Sequence, residues 1–107
     1  MTRATLRKNV EQVVHQVVDL AHPRRVIVFG SAAKGRVGPE GDLDFLVVVS
    51  DNEHVDTLTD RLNTQIRHKP MPCDFMVVEE GVLERNLDNP GLIYGEIMTN
   101  GREVYAC

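Results

Sequence analysis

The sequence predicts an α/β domain with a small mixed β-sheet and flanking helices. Two observations predict it. Apolar runs of strand length recur at residues 25–29, 43–49 and 72–78. Between and around them lie stretches with apolar residues at helical spacing, above all residues 3–21 and 55–66. With 107 residues the chain has the length of a single domain, so residues 1–107 are taken as one unit. A hydrophobic content of 42% is enough to fold rather than remain disordered.

Taken in order, Leu6, Val10, Val13, Val14, Val17, Val18 and Ala21 form an amphipathic helical stripe that Pro23 should end. His15 and His22 then fall on a solvated face and at a helix end. Arg25–Phe29 reads as a strand buried on both faces. A helical turn should open at Ser31, and residues 37–41 form a loop by composition. Leu43–Val49, the most apolar segment, is the second strand.

Ser50 and Glu53 have the spacing of a capping box, which predicts the start of a helix burying Val55, Leu58, Leu62 and Ile66. Arg67, His68 and Lys69 before Pro70 would complement the negative end of its dipole. A third strand covers 72–78. A short helix is expected over 80–88. A further one should start at Asn89-Pro90, present Leu92, Ile93, Ile97 and Met98, and stop at Asn100-Gly101. Residues 102–105 read as an edge strand.

Charge narrows the function classes. A net charge of −4 argues against a general nucleic-acid binder, which would carry a basic balance or stripe. Arg24, Arg25, Lys34 and Arg36 nevertheless stand close in sequence to Gly30-Ser31, and such a local patch suits a small anion. Cys73 and Cys107 have no metal-type spacing and do not suggest a disulfide framework. No signal-peptide core or membrane-length apolar run is evident, so a cytoplasmic location is expected.

Three features carry chemistry. Gly30-Ser31 ends the first apolar run; glycine admits close backbone approach, and amides at a helical start point toward an anion. The Ser31 hydroxyl adds a donor. Gly30 and Gly35 have the first part of a Walker spacing, but Arg36-Val37 follows where lysine and serine or threonine are required. Asp42 and Asp44 lie two apart, so on a strand they share a face at about 6.6–6.8 Å. Hard cations bridging phosphates are held by one or two such carboxylates. If the first two strands pair antiparallel, the Gly-Ser turn and the aspartates become neighbours. Asp74 interrupts the third apolar run, where an unpaired buried carboxylate would be costly. Beside the second strand it could join the same cluster as ligand or general base.

Phe-Gly-Ser-Ala-Ala-Lys-Gly, then Gly-Asp-Leu-Asp-Phe-Leu-Val-Val, then Cys73-Asp74-Phe75 resemble the DNA polymerase beta-like nucleotidyltransferase superfamily. The chain is most similar to the minimal nucleotidyltransferases, the MNT domains, across nearly its whole length. The resemblance implies that fold, with Gly30, Ser31 and Lys34 binding a nucleoside triphosphate such as ATP. It implies two Mg2+ ions on Asp42, Asp44 and Asp74, with Asp74 also acting as base for attack on the α-phosphate. Ala32 stands where many minimal members have arginine, which leaves Lys34 as the basic residue of the turn.

Larger relatives bind their acceptor on an added helical domain; none is expected here from a length of 107 residues, so the acceptor is expected on a partner. Minimal members commonly act as antitoxins beside a helical HEPN protein, and some transfer AMP to a tyrosine of that toxin. The resemblance therefore implies an HEPN/MNT pair. A rival expectation is an antitoxin that neutralises its partner by association alone. Transfer to a small molecule or nucleic acid is a third.

Overall fold

A computed structural model describes residues 2–35, 41–67 and 69–107. The elements are α1 (Arg3–Ala21), β1 (Arg25–Phe29), a 3-10 helix (Gly30–Lys34), β2 (Leu43–Val49), α2 (Val55–Gln65), β3 (Cys73–Glu79), α3 (Glu80–Arg85), α4 (Tyr94–Asn100) and β4 (Arg102–Ala106). The strands form one sheet in the order β3-β2-β1-β4. It is mixed: β1 runs antiparallel to both β2 and β4, while β2 and β3 are parallel. This is the α/β architecture that the apolar runs predict.

Each face of the sheet has its own core. On one, Val26, Val28, Phe45, Val47, Phe75 and Val77 meet the stripe of α1 and Leu58 and Leu62 of α2. Phe45 and Phe75, paired in register, stack with ring centroids 5.5 Å apart. On the other, Ile27, Leu46, Val48 and Val78 meet Leu83 of α3 and Ile97 of α4. Burial of β1 and β2 on both sides explains why their sequences are continuously apolar rather than alternating.

The ends of α1 follow from local chemistry. Thr2 caps its start, the hydroxyl accepting from Thr5 N–H at 3.1 Å. His22 closes it in the left-handed region at φ 46°, and Pro23 prevents further turns. His15 is exposed and lies 3.6 Å from Asp19 one helical turn on. Among the described residues no helix is long and apolar enough to cross a membrane. Cys73 and Cys107 are both free thiols.

Four expectations are corrected. Ser50–Glu53 does not cap a helix; α2 begins at Val55 with no side-chain cap. The polar groups of that turn are used across the chain instead. Asp51 accepts from Gly81 N–H, and Asn52 N–H donates to Glu79, each at 2.9 Å. They tie the end of β2 to the end of β3. Asn89 likewise caps a turn, accepting from Gly91 N–H at 2.9 Å, and α4 starts only at Tyr94. Leu92 and Ile93, expected in the helix, lie outside it and are each 44% exposed.

Arg67 and Lys69 lie beyond the end of α2, whose last turn has no basic residue; His68 is outside the described residues. Finally, Arg24 and Arg25 do not gather at the Gly-Ser turn. Five strand residues separate Arg24 from Gly30, six steps or about 20 Å at the usual rise. They pair instead with Glu80 at 3.9 Å and with Glu103. Arg36 and most of the 37–41 loop fall outside the described residues.

Gly101 sets how closely α4 approaches the sheet. A methyl group there would stand 2.4 Å from the Ile97 carbonyl oxygen, 2.7 Å from Ile27 Cγ2 and 3.0 Å from the Val28 carbonyl oxygen. Its φ of −78° is ordinary, so the constraint is space rather than backbone conformation. Gly101→Ala should therefore destabilise by about 1–3 kcal/mol, the usual cost of overpacking. Urea unfolding should show this as a lower midpoint at unchanged m-value.

Candidate active site

The antiparallel pairing of β1 with β2 brings the end of one strand to the start of the other. Phe29 is the register partner of Asp44, so the turn opening at Gly30 begins beside that carboxylate. Gly30 has φ +75°, a region that glycine enters without the steric cost of a side chain. A methyl group on Gly30 would stand 2.8 Å from Asp44 Oδ2. The missing side chain is thus what lets the carboxylate lie against the turn. Gly35, with φ +71°, ends the 3-10 helix, its N–H directed at the Ala32 and Ser31 carbonyl oxygens.

Asp44 is also the register partner of Asp74 across the parallel β2–β3 pair. Parallel neighbours project to the same face on strands about 4.8 Å apart. The pairing extends back through Leu43 N–H, which donates to the Pro72 carbonyl oxygen at 2.9 Å. Asp42 sits exposed immediately before β2. Asp74 is exposed rather than buried within its apolar strand, so the expected burial cost does not arise. Asp44 is half-buried.

These acids feel one another. Partial burial raises the Asp44 pKa above its ordinary 3.8, and the charges of Asp74 and then Asp42 raise it further. No hydrogen bond or ion pair to a described residue offsets that repulsion. No group of three or more His, Cys, Asp or Glu among the described residues forms a metal-holding cluster on its own. The site is an acidic patch with open oxygen donors, not a closed cage.

Beside it lies a cavity of about 290 Å³ bounded by Phe29, Gly30, Lys34, Asp44 and the α4 side. Gly30, Lys34 and Asp44 therefore share one cleft. Ser31 is exposed on the 3-10 helix next to it. The α4 side contributes Ile93, Glu96, Ile97 and Asn100; the sequence names Ile93, Ile97 and Asn100 only as parts of a helix and its end, and Glu96 not at all. Their i, i+3, i+4, i+7 spacing was the available signal, but it equally describes any helix packed on a sheet.

Cys73 adjoins the acids. Burial pushes its thiol up to about 11, Lys69 opposes the shift, and the charges of Asp74, Asp42 and Asp44 add to it. Relative to its ordinary 9.0 the thiolate fraction at neutral pH falls about 100-fold; greater thiolate nucleophilicity recovers about tenfold. Iodoacetamide should therefore modify Cys73 at least about tenfold more slowly than an ordinary exposed thiol, with exposed Cys107 reacting first in peptide mass mapping.

Residues 9–96 match the model of the nucleotidyltransferase domain family. The chain belongs to this family. The matched span contains the Gly-Ser turn and all three aspartates. A solved structure from Sulfolobus solfataricus, provisionally named a nucleotidyltransferase, is similar at 25% identity and a TM-score of 0.54. The similarity covers 78% of this chain and 75% of that one. No curated relative matches the sequence. The family and the mixed four-stranded sheet agree with the polymerase beta-like fold implied by the motifs.

Proposed function

We propose that this family member is a magnesium-dependent adenylyltransferase that uses ATP and modifies a hydroxyl of a partner protein. The observation that supports the reading is the junction of Gly30, Asp44 and Asp74, where the turn lies against carboxylates that no cation among the described residues pairs. Oxygen donors with no counter-cation among the described residues fit Mg2+, which is commonly held by one or two carboxylates plus substrate phosphates. Asp42, Asp44 and Asp74 would hold the two ions, which when bound supply charge neutralisation for the polyphosphate.

The chain's own residues do the rest. The amides opening at Gly30 and Ser31 orient the phosphates, and Lys34 adds a positive charge. The cavity between Phe29 and α4 seats the nucleoside, with Glu96 and Asn100 as its polar contacts. Asp74, exposed at the edge of the group, takes the proton of the acceptor hydroxyl. That oxygen bonds to the α-phosphorus as the bond to the bridging oxygen breaks, and pyrophosphate leaves.

A protein acceptor is supported by Leu87, Leu92 and Ile93, the large apolar residues exposed among those described. Ile93 also lines the cavity, so an apolar surface adjoins its mouth. The partner we name is the helical HEPN-like protein of an HEPN/MNT pair, with this chain as its antitoxin. Calorimetry with Mg·ATP and labelling with α-radiolabelled ATP, alone and with the helical protein encoded alongside, test this. Nucleotide uptake and label on the partner are expected. Neutralisation of the partner with no label would establish the association-only antitoxin instead, and no Mg·ATP uptake in either setting would end the catalytic reading.

A further inference from the structure

A second concavity, of about 990 Å³, runs along α1 on the opposite face of the sheet from Asp44. Its walls are α1 from Arg3 to Val18, the 3-10 helix with Gly35, and the edge strand β4. That stretch of α1 is about 23 Å long at the helical rise. The floor is apolar, and Val18, Ala33, Val104 and Tyr105 on it are only partly buried. The rim is basic: Arg3, Arg7, Lys34 and Arg102 line it, all exposed, against a single acid, Glu11.

None of the four cations forms an ion pair with a described residue, whereas Arg24 and Arg25 elsewhere do. They gather at one end of the groove. A side chain on Gly35 would meet Arg3 Nε at 3.5 Å, and Arg102 is the register partner of Val28 near the start of the turn. In a chain of net charge −4 this concentration is a local inversion of sign. Lys34 lines both this groove and the cleft holding Asp44.

We propose that the groove between α1 and β4 docks an acidic amphipathic segment of a partner protein. Apolar side chains of that segment rest on Val18, Val104 and Tyr105, and its carboxylates meet Arg3, Arg7 and Arg102. Because Leu6, Val10, Val14, Val28 and Ala32 of the lining are already buried, rim charge contributes more to recognition than apolar area. Such rim charges act mainly on encounter rate and partner choice, and salt weakens them. A nucleic acid fits less well: the basic run is short, one aromatic residue lines it, and the aspartate group lies just past Lys34. The inference rests on the proposed function only in identifying the partner as acceptor; docking itself needs no nucleotide.

The probe is a fluorescein-labelled 16-residue peptide with leucines at i, i+3, i+4, i+7 spacing and glutamates elsewhere, matching the groove at about 24 Å when helical. A lysine-for-glutamate counterpart and a 16-nucleotide single-stranded RNA are the comparisons. Fluorescence anisotropy on the full chain should show micromolar binding of the acidic peptide at 50 mM NaCl, weakened about tenfold at 300 mM. Arg3→Glu/Arg7→Glu should weaken it at least tenfold, and Arg102→Glu should do the same independently. Acidic residues in the first turns of α1 suit the helix dipole, so the double variant should keep its circular dichroism and its Mg·ATP affinity. No acidic-peptide binding up to 1 mM, equal binding by the variants, or equal binding of the lysine peptide overturns the proposal. Tighter binding of the RNA, or a dimer of this chain dissolved by the same substitutions, overturns it in favour of those occupants. Loss of nucleotide binding with peptide docking intact would count against the proposed function alone.

Discussion

Asp44→Asn is expected to abolish nucleotidyl transfer while raising the melting temperature. The two effects share one cause. Asp44 stands beside Asp74 with Asp42 near, half-buried and without a cation among the described residues. Removing its charge removes an opposed like-charge pair, for which a gain of about 0.2–1 kcal/mol is reasonable in a sheet. That corresponds to roughly 1–8 °C for a domain of this size. The same substitution removes a ligand from the group that would hold Mg2+, worth several kcal/mol of charge stabilisation, so transfer should fall by on the order of 10³ or more.

The pH dependence has a fixed sign. A raised folded-state pKa means the folded chain holds the proton more tightly than the unfolded chain does. The stability this contributes is complete below the ordinary 3.8 and is lost as pH rises through the raised value. The melting temperatures of wild type and Asp44→Asn should therefore converge in acid and separate toward neutrality. Thermal melts across that range, at low and high salt, check it. A variant no more stable than wild type at pH 7 would show that the repulsion is already compensated.

Gly30→Ala is expected to damage both stability and activity. Its φ of +75° costs an alanine about 1–2 kcal/mol, or several degrees of melting temperature. The added methyl would also stand 2.8 Å from Asp44 Oδ2 and drive that carboxylate off its position. A displacement near 1 Å in an active site can lower the rate about 100-fold. The contributions separate in a double-mutant cycle with Asp44→Ala. In that background the backbone cost remains and the clash disappears, so the combined loss of stability should be smaller than the sum. Strict additivity would mean that Gly30 and Asp44 do not touch.

Much of this site is legible before any coordinates. An apolar run that stops at glycine and serine, and a second that opens with Asp42 and Asp44, constrain the chain locally. Asp74 needed one further step, the parallel placement of β3 beside β2, which the intervening helical segment suggests. The side of the cleft built by α4 was not legible. Glu96 and Asn100 look like ordinary solvent-facing residues until the helix is set against β1, and Gly101 looks like a simple stop signal.

The sequence by itself determined the strands, the longer helices, the tight turn at Gly30 and the family, because continuous apolar runs, helical spacing, glycine geometry and short motifs are short-range properties. Tertiary structure decided where the uncommitted polar groups went. Asp51 and Asn52 lie inside the stretch that reads as a capping box, yet Asp51 accepts from the Gly81 amide and the Asn52 amide donates to Glu79, groups that packing brought within reach. Asn89 closes only a local turn with the Gly91 amide. Arg24 and Arg25 could have joined the turn, but the length of β1 carried them to the other end of the sheet. A hydrogen-bonding or charged side chain has many possible partners along a chain, and only the packed fold selects among them.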